Sequence, residues 1–175
     1  MLTAVYKNHL SLGKRLAGAL GESEDENPLS TSHAFYRDGI QVGGMYNYMS
    51  GPPRIEVKSG HYLFRRKNYV VFFTQYYMLE RDSQTIATGK YASRLFDVSC
   101  KITSAFEPPL ADLTVRCATS NMRGSEYSVS EGRDEIGAIL HDNNFGANID
   151  LFLRVPLALQ IFIFRVSFNM THREI

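Results

Sequence analysis

Side chains able to do chemistry are few in this chain, and they stand apart. Five histidines, His9, His33, His61, His141 and His172, are scattered singly, so none sits next to a second ligand or a nucleophile in the sequence. The two cysteines, Cys100 and Cys117, lack the CxxC or Cys/His spacing that holds structural zinc. HExxH, GxSxG, the kinase set and the EF-hand loop are missing. Ser11-Leu12-Gly13-Lys14 has the SxxK form, but without an SDN or KTG companion it is explained by chance. Gly39-Ile40-Gln41-Val42-Gly43-Gly44 is neither a P-loop nor a dinucleotide fingerprint. Glu22, Glu24, Asp25 and Glu26 fall in a run without apolar residues, which reads as a solvated linker rather than a metal site. The sequence therefore implies no metal and no cofactor, and a protein that is not an enzyme. A small enzyme whose site assembles only in space stays as an alternative.

The chemistry that remains is positive charge beside aromatic rings. Arg65-Arg66-Lys67 is flanked by Tyr62 and Tyr69. Arginine grips phosphate through two parallel hydrogen bonds, and aromatic rings stack on bases. Lys7, Lys14 and Arg15 make a second candidate patch near the N-terminus. Lys and Arg total 19 against 18 Asp and Glu, a net charge of +1. Bulk charge cannot attract a polyanion here, so an anionic partner, whether nucleocapsid, RNA or lipid, must be met by a local patch. The bland reading of the triplet is a solvated hairpin tip whose charges block edge-to-edge aggregation.

These residues need elements to carry them. The chain has 175 residues, enough for one domain with a sizeable core. Ten Tyr and 11 Phe without Trp lean the composition towards strands. Residues 3–20 read as a basic amphipathic helix, with Val5, His9, Leu12, Leu16 and Leu20 at three- and four-residue steps. Residues 1–27, this helix plus the acidic linker, precede a β-rich domain over 28–175. Asp38-Gly39, Gly51-Pro52-Pro53 and Glu80-Arg81-Asp82-Ser83 mark turns. Tyr62–Leu79 reads as a hairpin with the basic triplet at its tip and apolar arms in the core. Phe96, Val98, Cys100 and Ile102 alternate with polar residues, as do Leu113, Val115 and Cys117. Pairing them symmetrically about Pro108-Pro109 sets Cys100 opposite Cys117, and a reducing compartment would leave both as free, buried thiols. Ser130 caps a second expected helix over 130–141, with Ile136, Ile139 and Leu140 on one face. Leu159–Phe168 reads as an interior strand because both its faces are apolar. With Arg154 and Arg165 inside the most apolar span, a membrane-spanning helix is not expected. No secretory signal is visible, which implies a cytoplasmic protein. The expected fold is α+β: a mainly antiparallel sheet with an N-terminal helix and one helix near residues 130–141.

A basic N-terminus with Lys7, Lys14 and Arg15, then an acidic linker, then one β-rich domain bearing Arg65-Arg66-Lys67, resembles the small matrix proteins of plant-infecting rhabdoviruses. The likeness is one of layout over the whole length. Pro52-Pro53-Arg54-Ile55 and Pro108-Pro109-Leu110-Ala111 depart from the PPxY motif of many animal-virus relatives. The resemblance implies a self-associating structural protein, a homo-oligomer that binds nucleoprotein or RNA. It would line the inner face of a virion envelope as a peripheral membrane protein of the host cytoplasm. A β-sandwich capsid or RNA-binding coat protein is the other open reading.

Overall fold

Alternation of apolar and polar residues dominates the chain, and it closes into a ring. The computed structural model describes residues 1–7, 30–47, 51–69, 74–94, 97–106, 110–121, 124–142, 146–151 and 155–171. Among these residues twelve strands follow one another: β1 (Leu2–Lys7), β2 (Ser30–Arg37), β3 (Ile40–Asn47), β4 (Arg54–Val57), β5 (Gly60–Tyr69), β6 (Thr74–Arg81), β7 (Gln84–Arg94), β8 (Asp97–Ser104), β9 (Leu113–Asn121), β10 (Gly124–Glu131), β11 (Asp134–Asp142) and β12 (Ala147–Leu151). A helix, α1 (Leu157–Thr171), comes after them. Each strand pairs antiparallel with its sequence neighbours, and β1 pairs with β12 to close the barrel. Two-residue turns make the hairpins tight. Asp38-Gly39 and Asp82-Ser83 take positive φ at both positions, the geometry whose twist matches the flanking strands.

The expected α+β fold is therefore overturned. The N-terminal helix is corrected at its start, where Leu2–Lys7 is a barrel strand with Leu2 and Ala4 buried; residues 8–29, including the rest of the expected helix and the acidic linker, lie outside the described residues. The expected helix over 130–141 is the β10–β11 hairpin, turned at Gly132. The expected strand over Leu159–Phe168 is the helix itself.

Strand number explains why a helix belongs here. An eight-stranded barrel fills its interior with its own side chains, and wider barrels leave a lumen. Twelve strands leave room for a helix, which is about 10–12 Å across with its side chains. Ala158–Met170 are all buried, so α1 is the plug of the barrel. A helix apolar all round needs such a site. It begins at Pro156, whose carbonyl accepts the Gln160 N–H at 2.9 Å, a place where proline's missing donor costs nothing. Gly43 on β3 lets the plug approach the wall: a Cβ there would lie 3.0 Å from Ile161 Cδ1 and from the Glu56 carbonyl. Inward residues such as Phe35, Met45, Ile55, Leu79, Ile102 and Ile149 are fully buried. Outward positions on β7, β8 and β9 are polar, for example Thr88, Lys90, Lys101 and Arg116. On these three strands that polarity differs from the apolar outer band of a membrane-spanning barrel, while Val5, Ile40 and Leu140 are exposed on β1, β3 and β11. No described helix is long and apolar enough to cross a membrane.

The plug is held by polar contacts as well as by packing. His141 Nε2 and Ser167 Oγ lie 2.8 Å apart, fully inside the core. Ser167 donates its own proton to the Phe164 carbonyl at 2.9 Å, which leaves His141 Nε2 as the donor of the pair. Tyr127 Oη and Thr171 Oγ1 are 2.9 Å apart. Burial pushes the Tyr127 phenol and the Cys100 thiol each up to about 12, and it also raises the Tyr77 phenol. Their ordinary values of 10.0 and 9.0 apply in the unfolded chain, so between pH 9 and 12 the folded state binds more protons than the unfolded state. This contribution to stability is fully present below about pH 9 and is lost as pH rises towards 12. Urea titrations from pH 7 to 11 should show stability falling only above pH 9. The slope should approach about 1.4 kcal/mol per pH unit for each group ionised in the unfolded chain. Tyr127→Phe should flatten it, and a level profile to pH 11 would contradict the burial.

Candidate anion-binding cleft

The basic triplet is not a hairpin tip. β5 runs through it and pairs Arg65 with Met78, Arg66 with Tyr77 and Lys67 with Tyr76; the connection to β6 falls beyond it, outside the described residues. Strand alternation then divides the triplet. Tyr62 and Phe64 point inward and are buried, and Arg66, next in that series, is half-buried. Arg65 and Lys67 point outward and are exposed. Arg65 Nε donates to Glu80 Oε2 at 2.6 Å.

A cleft of about 420 Å³ opens where this part of β5 meets the plug. Pro52, Pro53, Phe64, Arg65, Arg66, Lys67, Arg165 and Asn169 line it. The strand supplies three of its cations and α1 supplies the fourth. Arg165 and Asn169 are one helical turn apart, hence on one face of α1. Pro53 is fixed against β5 by its carbonyl, which accepts the Phe64 N–H at 2.8 Å.

Arg165 is 9% exposed. Its guanidinium lies 5.8 Å from the Phe64 ring centroid and 5.5 Å from that of Phe168. Ring faces attract a cation and make burial of its flat surfaces tolerable. Tyr77 on β6 stands opposite Arg66 in the strand register. Burial raises its phenol, while the Arg66 and Arg165 cations act on it in the opposite sense; its hydroxyl donates to Gln75 Oε1 at 2.8 Å. Among the described residues no carboxylate lines the cleft. Such a lining can neutralise a multiply charged anion through charge-assisted hydrogen bonds.

The sequence-predicted site residues fare differently. Arg65, Arg66 and Lys67 meet at this cleft. Lys7 ends β1, several strands away around the ring. Lys14 and Arg15 lie outside the described residues. Arg165 and Asn169 were not expected. Arg165 was visible only as the charge that interrupts an otherwise apolar run, a signal in its own right once the run is known to be buried.

Among the described residues, the other reactive groups do not gather into a site. Cys100 is buried, Cys117 is half-buried, and both are free thiols. They do not face each other: Cys100 pairs with Val115, and Cys117 pairs with Tyr127. The expected register was two residues out, a slip that keeps each residue on its own face. His61, exposed, has its Nδ1 3.7 Å from Glu56 Oε1. Among the described residues no three His, Cys, Asp or Glu side chains converge.

Fold and cleft together define a class: a closed up-and-down barrel, plugged by its own helix, with an arginine of the plug exposed to a basic cleft. No family model, curated protein or solved structure matches the chain.

Proposed function

We propose that this protein is a non-catalytic binding module whose cleft takes a phosphate-bearing or similarly charged anionic group. One observation carries the reading: Arg165, seated on the core helix, joins Arg66 and Lys67 in a cleft that no carboxylate lines among the described residues. Several cations directed at one space hold a multiply charged anion through charge-assisted hydrogen bonds. The close histidine–serine pair, His141–Ser167, favours binding over catalysis, because both side chains are buried in the core and spend their hydrogen bonds on seating the helix.

Reversing the charge of Arg65, Arg66 and Lys67 together should weaken binding of pyrophosphate by about a hundredfold or more in calorimetry, since losing even two charge-assisted bonds at about 1.5 kcal/mol each has that effect. The fold should survive, because two of the three side chains are exposed. Unchanged affinity in a folded variant would remove the cleft as the site.

The finer form of this reading is a matrix-like scaffold: a homo-oligomer that joins nucleocapsid or RNA to an anionic membrane surface. It rests on the chain's layout, in which the start of the expected N-terminal helix is now corrected to β1. A closed barrel offers no open strand edge for chain-to-chain pairing, so self-association would use wall surfaces.

A further inference from the structure

The outward face of the wall carries the charge of the cleft further round the barrel. Lys67 on β5 stands opposite Tyr76 on β6, Tyr76 opposite Lys90 on β7, and Lys90 opposite Lys101 on β8. All three lysines are exposed. Neighbouring strands are about 4.8 Å apart, so this row covers about 14 Å across the strands. Arg65 lies two residues from Lys67 along β5. Arg116, exposed on β9, pairs with Ser99 of β8, two residues from Lys101. Glu80, at the margin, is held by Arg65. Asp112, at the far margin, accepts a hydrogen bond from Thr103 at 3.1 Å.

One detail of this row is costly. Lys90 and Lys101 are directly opposed, and like charges in that position destabilise a sheet. Lys90 Nζ leans 5.9 Å from the Tyr76 ring centroid, away from its partner strand. A phosphate between the two ammonium groups would relieve the repulsion.

We infer that the outer wall from β5 to β9, with Arg65, Lys67, Lys90, Lys101 and Arg116 around Tyr76, is a docking track for the backbone of a single-stranded nucleic acid. Three observations select that occupant. The charges extend in a line rather than gather in a pocket, as a chain of phosphates requires. Hydroxyls interleave with them at Thr88, Ser99 and Thr114, and lysine, arginine, serine and threonine are the side chains that contact phosphates. Tyr76 supplies one aromatic face within the row, the companion feature of strand-tracking surfaces. A lipid surface fits less well on the described residues, whose exposed large apolar side chains, Met1, Val5, Ile40 and Leu140, all lie off β5–β9. A convex wall also suits a flexible strand better than a duplex. The inference deepens the cleft reading and rests on it for Arg65 and Lys67.

The test compares Lys90→Gln/Lys101→Gln with the parent on two probes, a twelve-nucleotide oligouridylate and pyrophosphate. The pair should weaken oligouridylate binding about tenfold at about 0.1 M salt. It should also lower the slope of log affinity against log salt by about 1.4, two phosphate contacts at 0.7 each. Pyrophosphate binding should not change. Oligouridylate affinity and slope unaltered by the pair would overturn the track and leave the cleft reading standing. Failure of the parent to bind pyrophosphate, with oligouridylate still dependent on Lys90 and Lys101, would sink the cleft reading and keep the track. Poly-glutamate or phosphatidylserine vesicles bound as tightly, with the same dependence on the two lysines, would overturn the choice of nucleic acid.

Discussion

Phe164→Ala should lower the melting temperature by about 10–15 °C. Phe164 is fully buried at the middle of the plug. Its ring centroid lies 5.0 Å from that of His33, 5.3 Å from Phe35, 5.4 Å from His141 and 5.9 Å from Phe168. One side chain thus ties α1 to β2 on one side and to β11 on the other. Truncating a buried phenylalanine costs about 3–5 kcal/mol, because a cavity remains where the wall cannot follow. At this chain length each kcal/mol shifts the midpoint by about 2–4 °C. Calorimetry of the variant gives the answer. A loss under about 1 kcal/mol would mean that the helix does not sit in the lumen.

Gly137→Ala should cost about 3 kcal/mol or more, and the variant is expected to accumulate unfolded. Gly137 has a φ of 154°, a conformation side chains rarely tolerate. A Cβ there would fall 1.9 Å from the Asp150 carbonyl oxygen on β12. Backbone must move to make room, and β12 also carries the β1 pairing that closes the ring. Gly132→Ala is the control. Gly132 has a φ of 61° with nothing within 4 Å of its Cβ position, so only the left-handed backbone is strained, at about 1–2 kcal/mol. Equal losses at the two positions would show that the steric contact at β12 is unimportant. Denaturant titration of both variants measures the difference.

The same region shows why part of the fold was illegible. Ile136 and Ile139 are both buried although three residues apart. An irregularity in the β10–β11 register pairs Val129 with Gly137 and Ser130 with Glu135, leaving Ile136 as an extra residue. A bulge of this kind shifts the phase of a two-residue alternation and imitates helical spacing. The plug failed for the opposite reason. Leu157–Thr171 is apolar on every face, so it has no period, and its Ile, Phe and Val residues favour strands. Its length should have decided, since apolar runs this long are helices rather than strands. Where alternation was clean, reading succeeded: Cys100, Ile102, Leu113 and Val115 are buried as expected, and Asp38-Gly39 turns as expected. The basic triplet was found by composition, but its partner Arg165 is brought to it only by a plug that no local pattern announces.

The order of elements along the chain has a consequence for biosynthesis. α1 is translated after all the strands that house it, and β12, which closes the seam with β1, comes just before it. Until α1 is made, its apolar residues are not there to fill the lumen that the strands enclose. Folding of this protein therefore waits on α1, the last of its described elements to be made. Nascent chains halted before Leu157 should bind chaperones avidly, whereas chains that include α1 should let them go.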